Sequence, residues 1–162
     1  LNPNGVVPTL TDGDTVVCES VAIALYLADR FAVKGLAPPL DSPLRGKYLT
    51  WVIWSMASLE PAIGEIYLEQ SKPADQQSAA AINAARERFK ESARVLSGEL
   101  SGELSGKPSG PFLLGEQISA ADVLVGCVLA FAGSLGLLEG FDTLRAYVGR
   151  ITERPAYKKA MA

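Results

Sequence analysis

The pattern of apolar residues predicts a β-hairpin near the start of the chain. Residues 6–10 (VVPTL) and 14–18 (DTVVC) are short runs rich in β-branched residues, and Asp12-Gly13 between them is typical of a tight hairpin turn. Pro8 has no N–H to donate to a neighbouring strand. We therefore expect the first strand to begin late or to lie at a sheet edge.

A helix and a linker are predicted after the hairpin. Residues 21–31 (VAIALYLADRF) have the apolar spacing of about three helical turns, and Ser20 before them is a typical N-cap residue. Residues 33–43 (VKGLAPPLDSP) contain three prolines, which cannot continue a helix. The predicted organisation is a strand–strand–helix unit at 1–34, a linker at 35–43 and a helical domain at 44–162.

The helical domain is predicted from apolar residues at helical spacing. Residues 44–69 carry many large apolar side chains, and Pro61 is expected to kink this helix. Further helices are expected at 75–96, at 142–152 and from Arg154 to the chain end. The helix at 75–96 is amphipathic, with an apolar stripe of Ile82, Ala85, Phe89, Ala93 and Leu96.

Two segments have more than one interpretation. Residues 97–110 (SGELSGELSGKPSG) are rich in glycine, which disfavours a helix interior, so we expect a loop or a fraying helix end. Residues 123–138 are uncharged but shorter than the ~20 residues that a membrane span needs. A helix that is apolar all round is typical of a buried central helix, which we favour over a membrane span.

Composition excludes several classes of function. The chain is 48% hydrophobic and 20% charged, which is typical of a soluble globular protein, and its net charge of −3 argues against a nucleic-acid partner. It has no histidine, which excludes imidazole acid–base catalysis and the helical zinc motif. Its two cysteines give neither a metal site nor a disulfide framework, so we expect a cytoplasmic protein.

Ser119 and Asp122 have the spacing of a helix capping box. The Ser119 hydroxyl can accept from the N–H of Asp122, and the Asp122 carboxylate can accept from the N–H of Ser119. We interpret the pair as a structural device, with a catalytic acid at Asp122 as the alternative.

The order of these elements resembles the glutathione S-transferase family, in particular its soluble bacterial members. The resemblance covers nearly the whole chain, and it implies an α+β, mostly α fold. In that fold a partial thioredoxin-like unit precedes an all-α C-terminal domain. The resembling motifs are Asn2-Pro3-x-Gly5-x-Val7-Pro8-x-Leu10, Asp12-Gly13, Glu19-Ser20-x-Ala22-Ile23-x-x-Tyr26-Leu27, Phe112-Leu113-x-Gly115 and Ile118-Ser119-x-Ala121-Asp122.

The resemblance also implies a glutathione site. It implies a cis bond between Val7 and Pro8, with the Val7 backbone pairing to the cysteinyl part of glutathione. Glu19 and Ser20 would hold the γ-glutamyl end. A hydroxyl at a helix N-terminus suits a carboxylate, and the Glu19 carboxylate suits an ammonium group. From the local sequence alone, the alternative is a plain helix cap.

One part of the family pattern has no counterpart in these residues. In that family a strand–helix–strand segment precedes the NPxGxVP motif and supplies the Tyr, Ser or Cys that stabilises the glutathione thiolate. We therefore assign no catalytic residue and expect Val6, Val7 and Val16 to lack their sheet neighbours. Cys18 is the remaining candidate nucleophile, but Glu19 beside it would raise its pKa, so we expect a buried strand-end thiol. Cys127 is expected in the core.

The resemblance implies two alternative functions. One is a detoxifying transferase that joins glutathione, its co-substrate, to small apolar electrophiles. The other is a catalytically silent binding or assembly domain of the same fold. We expect a homodimer with no cofactor, no metal and no membrane. Trp51 and Trp54 either line the electrophile pocket or belong to the core.

Overall fold

The computed structural model describes residues 2–104, 106 and 109–162. In these residues a two-stranded antiparallel ribbon precedes seven α-helices, which confirms the α+β, mostly α prediction. The strands are β1 (Thr9–Asp12) and β2 (Thr15–Cys18). The helices are α1 (Ser20–Arg30), α2 (Arg45–Trp54), α3 (Glu60–Gln70), α4 (Ala79–Ser101), α5 (Ala120–Ser134), α6 (Asp142–Thr152) and α7 (Pro155–Met161).

The hairpin begins later than the apolar pattern predicted. β1 starts at Thr9, directly after Pro8, and its register pairs Thr9 with Cys18 and Asp12 with Thr15. The turn is therefore the two residues Gly13-Asp14, and Gly13 adopts the left-handed φ of 58° that such a turn requires. Pro8 explains the late start, because it has no N–H to donate to a ladder.

A hydrogen-bonded Arg45 joins the first helix, the linker and the second helix. Its guanidinium donates to both Asp29 carboxylate oxygens, at 2.9 and 3.0 Å, and to the Pro38 carbonyl at 2.9 Å. The hydrogen bonds to Asp29 raise the pKa of Arg45. Near the beginning of the linker, the Leu36 carbonyl accepts from the Ala120 N–H at 2.7 Å. The linker is thus fixed to α1, α2 and the start of α5.

The long helix predicted at 44–69 is present, but its backbone pattern changes in the middle. A π-helical turn, Ser55–Leu59, separates α2 from α3. Pro61 follows this turn at the start of α3, where its missing N–H leaves the Ala57 carbonyl without its usual helical donor. The wider turn accommodates that loss. Together, α2, this turn and α3 form one continuous helical rod. The face of the rod that packs into the core consists of the buried residues Tyr48, Trp51, Val52, Ser55, Leu59, Ala62, Ile63 and Ile66.

Helix α4 begins and ends later than predicted. Ser78 caps it, since its hydroxyl accepts from the Ala81 N–H at 3.2 Å, and the helix continues to Ser101 rather than to residue 96. The loop interpretation is therefore wrong for residues 97–101. Gly98, Glu99 and Leu100 are buried, and this packing outweighs the low helix propensity of glycine. Residues 105, 107 and 108 of the segment lie outside the described residues.

Helix α5 is apolar all round but is buried on one face only. Val125, Gly126, Leu129 and Ala132 are buried, whereas Val123, Cys127 and Phe131 are exposed, because α1, α2, the π-helical turn and α6 cover only part of its circumference. The prediction that Cys127 belongs to the core is wrong. Gly126 lies where α6 approaches, and a Cβ there would force the buried Ile151 side chain to shift. In the part of the chain that the structure describes, no helix is long and apolar enough to cross a bilayer.

Candidate functional site

The junction between β2 and α1 has a strained backbone. Glu19 has φ 71° and ψ 127°, which among the described residues is the one positive φ outside glycine. Such a conformation costs roughly 1–3 kcal/mol and persists only where the surrounding structure holds it. This backbone conformation redirects the chain from the end of β2 directly into α1. It leaves the Glu19 carboxylate exposed at the helix N-terminus.

Ser20 is the first helical residue, so the prediction that it is the N-cap is wrong. Glu19 occupies the cap position, and its carbonyl accepts the first helical bond, from the Ile23 N–H at 2.9 Å. The helix start has no side-chain capping hydrogen bond. Among the described residues its hydroxyl has no hydrogen-bond partner, and the side chain is half-buried. This hydroxyl and the free backbone N–H groups of the first turn are available to an anion.

The Val7–Pro8 bond is cis, as the resemblance implies. Val7 and Ser20 lie at the same end of the hairpin, because the register pairs Thr9 with Cys18 two places further in. The Val7 side chain is 91% exposed, and its backbone makes no hydrogen bond to a described residue. Asn2 holds the loop before it by donating to the Val6 carbonyl at 2.7 Å. The Val7 backbone therefore lies at the same end of the hairpin as the start of α1.

A small pocket opens where α1 begins. Its volume is about 250 Å³. Glu19, Ser20 and Val21 form one wall, and Ile53, Met56 and Ala57 form the other. Val7 and Pro8 do not line it. Two larger clefts of about 460 and 470 Å³ flank the linker, but they contain none of the four predicted glutathione-binding residues.

The wall formed by Ile53, Met56 and Ala57 was not predicted. Its signal in the sequence is a second apolar stripe on the 44–69 helix, offset from the one that forms the core. Trp51 and Trp54 were predicted either to line the pocket or to belong to the core, and neither lines the pocket. Trp51 is buried and Trp54 packs against the core, with ring centroids 5.0 Å apart in an edge-to-face pair. They belong to the core, which was one of the two alternatives.

Neither cysteine lies in the pocket. Cys18 is half-buried at the end of β2, with its Sγ 3.9 Å from the Thr9 Oγ1. Cys127 is exposed on α5, and partial burial raises the pKa of its thiol. A raised thiol pKa lowers the thiolate fraction at neutral pH, so Cys127 lacks the property of a reactive nucleophile.

Asp122 is the centre of a closed hydrogen-bond network at the start of α5. Its Oδ2 accepts from the Ser119 N–H at 2.8 Å and from the Ser119 hydroxyl at 2.7 Å, and the capping box is present. Its Oδ1 accepts from the Leu113 N–H at 2.8 Å and from the Tyr147 hydroxyl at 2.9 Å. Burial, and then the Asp122 carboxylate, raise the pKa of Tyr147 well above its ordinary value. Asp122 is fully buried, which favours the structural interpretation over a catalytic one.

Two family models match the chain. Residues 1–38 match the glutathione S-transferase N-terminal domain, and residues 79–150 match the C-terminal domain of the same family. Within the residues described, no group of His, Cys, Asp or Glu side chains is arranged to hold a metal ion.

Individual relatives give the same picture over nearly the full chain. The glutathione S-transferase GstA of Escherichia coli O157:H7 is 27% identical over 100% of this chain and 75% of its own length. The structure of a sphingomonad glutathione S-transferase complexed with glutathione is 30% identical, with a TM-score of 0.80 over 99% of this chain and 74% of that one. A stringent starvation protein A homolog of Pasteurella multocida is 26% identical over 99% of this chain and 70% of its own length.

Proposed function

The chain belongs to the glutathione S-transferase family, and from that membership we propose that it binds glutathione at the start of α1 and transfers it to small apolar electrophiles. The observation that carries the proposal is the junction at Glu19 and Ser20. A strained backbone and an unpartnered hydroxyl lie beside a pocket, at the end of the hairpin that also holds Val7. A purely structural helix start has no need of either feature.

The proposed binding mode assigns one part of glutathione to each group. The γ-glutamyl carboxylate accepts from the Ser20 hydroxyl and from the free N–H groups of the first turn of α1. The γ-glutamyl ammonium pairs with the Glu19 carboxylate, which is exposed and has no ion pair among the described residues. The Val7 N–H and C=O hydrogen-bond the cysteinyl backbone. The cysteinyl sulfur then lies near the apolar pocket wall of Ile53 and Met56.

The proposed reaction is a substitution or an addition at an electrophilic carbon. With an aryl chloride, a carbon–sulfur bond forms, chloride leaves with the carbon–chlorine electron pair, and the thiol proton goes to solvent. The residues of this site contribute by holding the sulfur and the electrophile together, which removes the entropic cost of their encounter. No described residue at the pocket is assigned as the group that stabilises the thiolate.

A second candidate is a catalytically silent domain of the same fold that binds or assembles. The observation that favours it is the similarity to the stringent starvation protein A homolog, a relative whose name does not describe a transferase. The Ser20 hydroxyl and the Glu19 carboxylate are also the only polar side chains at the pocket among the described residues, and both are assigned to the γ-glutamyl end.

We also propose that the protein is a cytoplasmic homodimer with a role in detoxification. The exposed apolar residues Val6, Val7 and Val16, at 55%, 91% and 44%, are the side chains that a partner would cover. The outer edge of β1 has unpaired backbone groups that favour pairing with another chain. The two cysteines are free, which agrees with a reducing compartment.

Titration calorimetry with glutathione, followed by a chlorodinitrobenzene assay, tests the proposal. We expect Ser20→Ala to weaken glutathione binding about ten- to a hundredfold, the effect of one hydrogen bond to a charged group, with little change in stability. Ser78→Ala is the matched control, because Ser78 caps α4 and lies outside the pocket. It should reduce stability by about 1 kcal/mol and leave glutathione affinity unchanged.

The outcomes separate the two candidates. Binding with turnover supports the transferase, and binding without turnover supports the silent domain. Absence of glutathione binding in the unaltered protein, or equal affinities for it and Ser20→Ala, would contradict the proposed site.

A further inference from the structure

The rod formed by α2, the π-helical turn and α3 has a second, largely apolar stripe of residues. This stripe lies beside the face that packs into the core. The stripe runs from Leu49 past the pocket at the start of α1 to Tyr67, whose ring contacts Phe131 of α5 edge-to-face with centroids 5.4 Å apart. Large apolar groups along it are open to solvent, with Ile53 53% and Tyr67 48% exposed. The stripe consists of Leu49, Ile53, Met56, Ala57, Glu60, Gly64 and Tyr67.

The exposed face of α5 extends this surface. Phe131 is 39% exposed and Val123 41% exposed, and Cys127 between them is exposed as well. Because Phe131 contacts Tyr67, the stripe and this face form one apolar surface, which we call the apolar shelf. The shelf is continuous with the pocket proposed to hold glutathione, since Ile53, Met56 and Ala57 belong to both.

Glu60 is the one charged side chain on the shelf. It lies one turn beyond Met56 and Ala57, is half-buried, and makes no ion pair or side-chain hydrogen bond with a described residue. Two other acids of α3 are neutralised: Glu65 pairs with Arg88, and Glu69 pairs with Lys72. Partial burial raises the pKa of Glu60, in agreement with an acid that has no nearby cation.

We propose that Glu60 selects among electrophiles by charge, favouring those with a cationic group and rejecting those with an anionic group. The proposal rests on the proposed function, because it places the electrophile on the shelf beside the glutathione sulfur. A carboxylate next to apolar groups is poorly screened, so its attraction for a cation on the ligand is stronger than at an open surface. The apolar part of the electrophile covers the shelf while its charged group reaches Glu60.

The test uses three product conjugates, which need no turnover to be measured. Each carries a 2-nitrophenyl group on the glutathione sulfur and differs only at the para position, which bears a carboxylate, a carboxamide or a trimethylammoniomethyl group. Affinities are measured by titration calorimetry for the unaltered chain, Glu60→Gln and Glu60→Asp. Glu91→Gln on the exposed side of α4 is the control for the change in net charge.

We expect Glu60→Gln to weaken binding of the cationic conjugate about three- to tenfold and to strengthen binding of the anionic one by a similar factor, as removal of one partly screened charge requires. The neutral conjugate should change by less than about twofold. Glu60→Asp should keep the order cationic, neutral, anionic, and Glu91→Gln should leave all three affinities unchanged.

Each other outcome has a distinct meaning. If glutathione and the neutral conjugate bind but Glu60→Gln shifts all three conjugates equally or not at all, the charge-selection proposal is overturned and the glutathione site stands. If glutathione itself does not bind, the proposed function fails and this proposal fails with it. Circular dichroism melting of each variant separates a folding defect from a binding effect. Should Glu60→Gln not fold, loss of the order of affinities in a folded Glu60→Ala would support the proposal and its persistence would overturn it.

Discussion

Two helices of this protein begin with a serine and an acid, and their hydrogen bonds differ. At the start of α5, the Asp122 carboxylate accepts from Ser119, from the Leu113 N–H and from Tyr147, so both of its oxygens are engaged. At the start of α1, neither the Glu19 carboxylate nor the Ser20 hydroxyl has a partner among the described residues. Similar residue types therefore form a closed hydrogen-bond network at the start of α5. At the start of α1 they have no partners among the described residues, and we call this start open.

Burial explains the difference. Asp122 is fully buried, where a carboxylate without partners would be strongly destabilising. Glu19 is exposed, so water satisfies its carboxylate until a ligand replaces that water. A closed network stabilises the fold, whereas an open one beside a pocket is suited to binding. The comparison predicts that changes at the first site alter stability and that changes at the second alter glutathione affinity.

The largest expected loss of stability follows from a change in the closed hydrogen-bond network around Asp122. Asp122→Asn replaces one carboxylate oxygen by a donor, which leaves backbone or hydroxyl donors facing an amide N–H in a buried site. We expect the free energy of unfolding to fall by about 2–4 kcal/mol. Urea unfolding monitored by tryptophan fluorescence measures this effect.

Asp142→Asn is the matched control, because Asp142 lies in the first turn of α6 and is exposed. It should cost no more than about 0.5 kcal/mol. An Asp122→Asn protein as stable as this control would show that the network does not stabilise the fold.

A smaller loss of stability is expected from a substitution at Tyr147, and its size should depend on pH. Tyr147→Phe removes one donor to Asp122 and should cost about 1–2 kcal/mol at neutral pH. The pKa of Tyr147 is raised in the folded protein, whereas the unfolded chain releases this proton near pH 10. The stabilisation is thus complete below pH ~10 and is lost as the pH rises towards the folded pKa.

Unfolding midpoints in urea between pH 8 and pH 11 test this prediction. The unaltered protein should lose stability above pH ~10 more steeply than Tyr147→Phe, because only the former has this raised pKa. Tyr157→Phe, on α7, serves as the control and should keep the full alkaline slope. Parallel slopes for all three proteins would argue against a coupled Tyr147–Asp122 pair.

The smallest expected change in stability is at the open helix start. Glu19→Gly relieves the positive φ and should leave the free energy of unfolding unchanged or raise it by up to about 1 kcal/mol. It should nevertheless weaken glutathione binding, because the counter-charge for the ammonium is lost. Calorimetric titration and urea unfolding on the same preparation measure both quantities, and a loss of stability without a loss of affinity would reverse the comparison.

Most of the fold could be predicted from local patterns. The apolar stripe of α4, the hairpin turn and the capping box each depend on residues a few positions apart, and the structure contains all three. The predictions were wrong where packing between residues distant in sequence determines the local structure or the burial. Residues 97–101 are helical because Glu99 and Leu100 are buried there, and Cys127 is exposed because no described helix covers its side of α5.

The candidate site was only partly predictable, for a similar reason. Glu19 and Ser20 are adjacent in the sequence, and their motif indicated a helix start that binds an anion. The opposite wall, Ile53, Met56 and Ala57, lies more than thirty positions further along the chain and meets Ser20 only through tertiary packing. The strain at Glu19 also depends on the angle between β2 and α1, which no local propensity specifies.

The most direct test of the account is a glutathione titration followed by two-dimensional ¹H–¹⁵N NMR of the unaltered chain. We predict saturable shifts for the backbone amides of Val7 and of residues 19–23, with the amides of residues 119–123 unchanged. Shifts confined to the linker clefts, or equal shifts at both helix starts, would contradict the claim that the open start of α1 is the binding site.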